Sequence, residues 1–290
     1  MNEFSINTFD SLKLSIASAE IDNPKAVVQI VHGLKEHKRR YYDFAEYLTN
    51  NGYTVFMSDN RGHGYSVNDE YQLGYMADIH LLVKDQYEIT KYIKSKYQDI
   101  PLYMIGHSYG SMIARTYLQN YDAELTKLVL SGTVAYNNFV NLGLMLGKII
   151  NAVKGEKGSS IILQTFADND DTSWVCSNPE TMAQYKSDPF CTGYKYMNIS
   201  IYNIFKGMKE LYNISAFKCQ NPELKILSIT GEKDPVTKGE KGIADSISTL
   251  KKAGYKNIEN IVYKDMLHEV LNEVNKEQVY QDVLNFLKNK

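Results

Sequence analysis

The chain has 290 residues, 43% of them hydrophobic and 23% charged, which excludes a disordered or fibrous protein and leaves ample length for a large core. Its 32 basic residues against 34 acidic ones give a net charge of −2, with no long block of one sign and only four arginines, so a general nucleic-acid binder is excluded. Three cysteines, Cys176, Cys191 and Cys219, are odd in number and lack CxxC spacing, which argues against a disulfide framework and a zinc site and reads as free thiols.

Residues 1–20 alternate weakly and predict an antiparallel edge hairpin. They hold no apolar run behind basic residues, and no stretch approaches the roughly 18 apolar residues of a membrane span, so the expectation is a cytoplasmic protein. Strand-length apolar runs follow at 25–31, 53–58, 102–105, 127–130, 224–230 and 257–263, bounded by Gly, Pro, Asn or Asp. Helical spacing occupies 42–50, 79–97, 108–120, 238–253 and 273–287. Strand and helix alternate, the pattern of an α/β fold with a mostly parallel sheet covered on both faces. The rhythm stops at 133–221, which has no buried strand pattern but two apolar helical stripes and reads as a helical insertion. One stripe is Phe139, Leu142, Met145, Leu146, Ile149, Ile150 and Val153; the other is Met197, Ile201, Ile204, Phe205, Met208, Leu211 and Tyr212. The expected organisation is a core of 1–132 and 222–290 with an inserted helical cap at 133–221.

The chemistry starts at PLYMIGHSYGSMI, residues 101–113: an apolar strand, then Gly106-His107-Ser108-Tyr109-Gly110, then a helix of small residues. Such a strand-to-helix turn exposes the Ser108 hydroxyl, and the flanking glycines let helix and strand approach without colliding side chains. A serine hydroxyl needs a base to take its proton and an acid to orient that base. Five of the six histidines precede Ser108, and His268 alone follows it, just after the last apolar strand. The acid candidate is Asp234, in the loop after the 224–230 strand, with Glu232 and Asp265 as competitors. Taken without Ser108 upstream, Asp234 reads as a turn or cap residue and His268 as a surface histidine. An oxyanion hole would come from backbone amides, that of Tyr109 after the nucleophile and that of Leu34 after His32-Gly33. His32 and His37 lie in no ligand pattern, so no metal is expected.

These segments together resemble an α/β-hydrolase of the monoacylglycerol lipase and lysophospholipase group, serine hydrolases with a helical cap. The resemblance rests on VHGLKEHKRRYYDFAEYLTNNGYTVFMSDNRGHGYS (31–66), GHSYGSM (106–112), GEKDPVT (231–237) and the loop around LHEVLNE (267–273), with Ser187-Asp188-Pro189-Phe190 in the cap. Two stretches depart from the group: Leu34 and Lys35 stand where small residues are usual before the Glu-His pair, and the cap is the least similar region. The resemblance implies a cofactor-independent ester hydrolase acting on a small lipid-like acyl ester, with a lid at 133–221; the two apolar stripes there read as ordinary packing surface, as the lining of an acyl tunnel or as a patch for transient membrane contact. It implies that some of Leu142, Met145, Leu146, Ile204, Phe205 and Met208 face the site and bind substrate. Asp59, Arg61 and His63 read as braces of the active-site loops. The same triad could serve a carboxylesterase, thioesterase or peptidase, and a silent ligand-binding protein on this fold is the alternative of a different class.

Overall fold

A computed structural model describes residues 1–167 and 171–289. Two antiparallel strands, β1 (Asn2–Asn7) and β2 (Lys13–Ala19), form the edge hairpin. The six apolar runs become β3 (Val27–Val31), β4 (Thr54–Ser58), β5 (Leu102–His107), β6 (Lys127–Ser131), β7 (Lys225–Gly231) and β8 (Asn257–Tyr263). All eight lie in one sheet of order β1-β2-β4-β3-β5-β6-β7-β8, parallel from β4 to β8. The four central strands read as continuous apolar runs because both faces are covered: every residue of β3, β4, β5 and β6 is buried.

Alternation within a strand divides the core into two layers. Val27 and Val31 point to the layer under α2 (Ile79–Lys96) and α3 (Tyr109–Tyr121), with Leu82, Ile89, Met112 and Leu118. Val28 and Ile30 point to the opposite layer, under α1 (Tyr42–Asn50) and α10 (Lys276–Lys288), with Phe44, Leu48, Val279 and Val283. Gln29 is the polar exception in β3. Its amide donates to Gln86 Oε1 at 2.9 Å and its carbonyl accepts from Thr90 at 2.9 Å, so the buried side chain is satisfied.

Between the neighbouring strands β6 and β7 the chain leaves the sheet and forms α4 (Val140–Lys154), α5 (Ile161–Ala167), α6 (Pro179–Ser187), α7 (Pro189–Thr192) and α8 (Asn198–Glu210). Helix α9 (Gly239–Lys252) then follows, between β7 and β8. Helices α4 and α8 meet along a glycine seam: a Cβ at Gly143 would stand 2.7 Å from the Phe205 ring, and one at Gly147 would stand 3.0 Å from Tyr202. That close approach buries Val140 and Ile150 and turns the stripe Phe139, Leu142, Met145, Ile149 and Val153 to solvent. Among the described residues no helix is long and apolar enough to cross a membrane.

Candidate active site

At the carboxyl end of β5 the backbone turns sharply, and Ser108 takes φ 53°, ψ −120°, a left-handed conformation that L-residues occupy only when the surroundings hold it. The surroundings here are glycines. A Cβ at Gly110 would stand 2.1 Å from the Val31 carbonyl oxygen, and one at Gly106 would stand 2.5 Å from the Gly110 carbonyl oxygen, so only glycine lets α3 start against β3 and β5. The Ser108 amide donates to Ser131 O at 2.8 Å, and Ser111 Oγ donates to Ser108 O at 2.6 Å, locking the turn from both sides.

The loop after β7 brings in Asp234 and the loop after β8 brings in His268, both buried. His268 Nδ1 donates to Asp234 Oδ2 at 2.8 Å, while the other carboxylate oxygen accepts the Val236 amide at 2.8 Å. A carboxylate has no proton to give, so Nδ1 carries the hydrogen and neutral His268 presents Nε2 as an acceptor. That nitrogen is buried and has no hydrogen-bond partner among the described residues; the bond to Ser108 Oγ is not formed in this structure. Burial works against a charged imidazole, but the charge and hydrogen bond of Asp234, with Glu269 and Glu36 adding, hold His268 above its ordinary pKa. The two competing carboxylates are turned elsewhere: Asp265 pairs with Lys233 at 2.8 Å on the surface, and Glu232 accepts the Asp265 amide at 3.1 Å.

Opposite Ser108, the loop after β3 runs so close that a Cβ at Gly33 would stand 2.7 Å from Ser108 Cβ. The Gly33 amide donates to Glu36, and the Lys35 amide donates to Tyr196 Oη at 3.0 Å. The intervening Leu34 amide and the Tyr109 amide donate to no group among the described residues. His32 is not available to a metal. It accepts from the Asn60 amide at Nε2 (2.8 Å) and donates from Nδ1 to Gly33 O (2.8 Å), and burial keeps it neutral.

Ser108, His268, Leu34 and Tyr109 all border one cavity of about 650 Å³. Its apolar wall is Met112, Val134, Ile204, Met208 and Val236, and its roof comes from Trp174, Tyr185, Cys191 and Tyr194 in the inserted segment. Of the six residues expected to bind substrate, Ile204 and Met208 line this cavity. The other four do not: Leu142 and Met145 face solvent, and Leu146 and Phe205 fill the contact between α4 and α8. The physical reason is the glycine seam, which rotates α4 so that its largest apolar stripe points away from the core.

Several side chains at the site escaped the sequence reading. Glu36 borders the cavity and accepts from Gly33 and from Tyr41 Oη; burial, with the charge of Glu269, pushes its carboxyl well above the usual range. Arg40 forks onto Glu269 and lies 3.7 Å from Glu36, so one cation serves two buried carboxylates. The only signal in the sequence was the Glu-His pair at 36–37. The expected braces have specific partners: Asp59 accepts the Lys38 amide and ammonium and the Tyr65 amide, and Arg61 bridges Asp85 and Asp10. His63 Nε2 lies 3.3 Å from Tyr196 Oη.

One group of metal-ligand type does occur at the cavity edge. His37, Asp188 and Cys191 bring their ligand atoms within 4.8 Å of one another. His37 Nε2 and Asp188 Oδ2 already satisfy each other at 2.7 Å, Asp188 Oδ1 caps the Phe190 amide, and burial holds the Cys191 thiol protonated. The group therefore fastens α7 to the loop after β3.

The family model described as serine aminopeptidase, S33, matches residues 22–275. Over 271 residues the chain is 26% identical to the monoacylglycerol lipase of Mycolicibacterium smegmatis, covering 91% of this chain and 89% of that one. It is 26% identical to human monoglyceride lipase over 169 residues, 57% of this chain and 52% of the relative. Among solved structures, a thermostable carboxyl esterase from Bacillus coagulans in complex with glycerol superposes with a TM-score of 0.86 at 26% identity, covering 99% of this chain and 97% of that one.

Proposed function

From the premise that the chain belongs to the serine aminopeptidase S33 family and is a carboxylic ester hydrolase of the monoacylglycerol lipase and lysophospholipase-like group, we propose that it cleaves a monoacylglycerol or lysophospholipid through an acyl-enzyme on Ser108. In this reading Ser108 Oγ attacks the ester carbonyl while His268 Nε2 takes its proton. Asp234 holds the imidazole in the required tautomer and stabilises its charged form. The Leu34 and Tyr109 amides receive the oxyanion, and His268 returns the proton to the leaving alcohol. Water then attacks the acyl-serine with His268 again as base. The observation that carries the reading is the buried Asp234–His268 hydrogen bond of 2.8 Å, with His268 Nε2 unpartnered on a cavity that Ser108 also borders.

The lipid-like substrate follows from the apolar wall of that cavity and from the names of the relatives. Each methylene buried there contributes about 0.8 kcal/mol, roughly a fourfold gain per carbon until the cavity is filled. The segment 133–221 acts in this proposal as the cap that closes over the acyl chain. Its solvent-facing stripe of Phe139, Met145, Ile149 and Val153, flanked by exposed Lys148 and Lys154, supports transient contact with a lipid surface.

The test is a fluorophosphonate adduct mapped by mass, together with hydrolysis of acetate to octanoate esters, monoacylglycerol, lysophospholipid and a peptide anilide. The expected result is one adduct on Ser108, rates rising with chain length, and a fall on the order of 10⁶ in kcat for Ser108→Ala with the fold intact. An adduct elsewhere, or activity surviving in Ser108→Ala, removes the proposed nucleophile. A rate falling steadily from acetate to octanoate removes the lipid-like substrate.

A further inference from the structure

The chain contains two fully buried arginines, and they are treated oppositely. Arg61 is held by carboxylate oxygens of Asp85 at 2.7 and 2.9 Å and of Asp10 at 2.6 and 3.0 Å. Arg115, on α3 about two turns past Ser108, is as deeply buried, yet Nε, Nη1 and Nη2 all lack a hydrogen-bond partner among the described residues. A buried guanidinium presents five N–H donors and a full charge, and leaving both uncompensated is among the costliest arrangements a core can hold.

The groups around it are neutral hydroxyls, which can accept as well as donate but carry no charge to set against the guanidinium. The ring of Tyr212, just past α8, lies 5.9 Å from Arg115 Cζ, and its hydroxyl is buried without a partner, as is Ser246 Oγ on α9. The tyrosine hydroxyl lies within reach of Ser246 and Asp245. Asp245 is the carboxylate whose charge acts on Arg115, but it is exposed, so its compensation is screened by water. A cation and two hydroxyls meet across three elements; Tyr212 Oη is close enough to Arg115 to act as a weak acceptor, but among the described residues no buried carboxylate balances the guanidinium charge.

We propose that Arg115, with the hydroxyls of Tyr212 and Ser246, binds a small monovalent anion at the joint of α3, the end of α8 and α9. One guanidinium charge matches one anionic charge, and hydroxyls that donate to the anion no longer need partners of their own. The position has a structural consequence. Met112 lies one turn before Arg115 and Met208 one turn before Tyr212, and both line the cavity. The anion backs the far wall of the acyl cavity and ties the helix of Ser108 to the end of the inserted helices and to the helix after Asp234.

Two sources share this chemistry, a halide and a short carboxylate, and the test separates them. Thermal unfolding of the full-length protein is followed in chloride, bromide and formate against gluconate, which is too large to enter, at matched ionic strength. The expected result is a saturable rise in Tm of a few degrees, in the halides for a halide site or in formate for a carboxylate site, lost in Arg115→Met. Equal Tm in all four salts, or a rise that persists in Arg115→Met, overturns the proposal. Should Arg115→Met fail to fold, Tyr212→Phe with Ser246→Ala is expected to weaken the response about tenfold in apparent Kd. Crystals of the unaltered chain soaked in bromide, and separately in formate, should then show an anomalous peak or a formate within hydrogen-bond reach of the guanidinium, and a guanidinium bare in both overturns it.

Discussion

His268 is asked to be two things at once: buried, which disfavours its charged form, and charged in the middle of the proposed reaction. Asp234 resolves the conflict at 2.8 Å, and the net effect is an imidazole held above its ordinary pKa. The sign follows directly. The base works as the neutral form, so a raised pKa moves the acid limb of kcat/KM up, and activity should be lost on acidification earlier than for an ordinary histidine. Asp234→Asn removes the charge, leaving burial in command, so the limb should move to lower pH while kcat falls roughly 10⁴-fold. A pH–rate profile in which Asp234→Asn leaves the limb unmoved would place the oriented base elsewhere. At this scale the sequence was legible where chemistry needs a local pattern: Ser108 sits between glycines whose spacing is dictated by sterics. Glu36 and Arg40 were not legible, because a buried carboxylate shared between Gly33, Tyr41 and Arg40 is made by tertiary contact and leaves no periodic trace.

Among the elements, the strands were readable because burial on both faces writes an uninterrupted apolar run, as in β3 and β6. Helix α4 shows why the same logic fails for an insertion. Its stripe of Phe139, Leu142, Met145, Ile149 and Val153 reads as a buried face, yet the contact with α8 is made on the neighbouring face through Gly143 and Gly147. Small residues decided the rotation, and hydrophobicity alone could not. The outward stripe gives a prediction at this scale. Met145→Asp with Ile149→Asp should keep stability and hydrolysis of a water-soluble ester within about twofold, since neither residue touches the cavity. Cosedimentation with anionic phospholipid vesicles should fall at least tenfold, because two interfacial side chains become charged. Unchanged vesicle binding would mean the stripe does not meet a lipid surface. Substitution of Gly143 is expected to act differently: Gly143→Leu collides with Phe205 and should destabilise by about 1–3 kcal/mol in denaturant unfolding.

For the whole molecule, the question is how the segment inserted between β6 and β7, with five helices among the described residues, stays registered over a site built by another part of the chain. One stitch is the strip from Trp174 to Thr181 laid along the loop that carries His268. The Glu269 amide donates to Val175 O at 2.9 Å, the His268 amide to Trp174 O at 3.4 Å, and Thr181 Oγ1 to Asn272 O at 3.2 Å. Glu273 is the knot: one buried carboxylate accepts the Leu267 amide and the Ser177 amide, each at 3.0 Å, together with the Ser177 hydroxyl. It therefore positions the histidine loop and anchors the inserted segment with the same two oxygens. Removing it takes a charged acceptor from the partly buried Leu267 and Ser177 amides and from the Ser177 hydroxyl, a loss of about 1–3 kcal/mol confined to that seam. Glu273→Ala should accordingly leave exchange of the β5, β6 and β7 amides near the wild-type level and speed exchange in α6 and α7 by roughly tenfold or more. The same variant should lower kcat for soluble and lipid esters alike, since the histidine loop loosens whatever the substrate. If α6 and α7 instead exchange as in the wild type while kcat falls, the carboxylate serves the loop alone and the inserted segment is held by its other contacts, among them His37 with Asp188, Lys35 with Tyr194 and Ser200 with Met76 and Gly74.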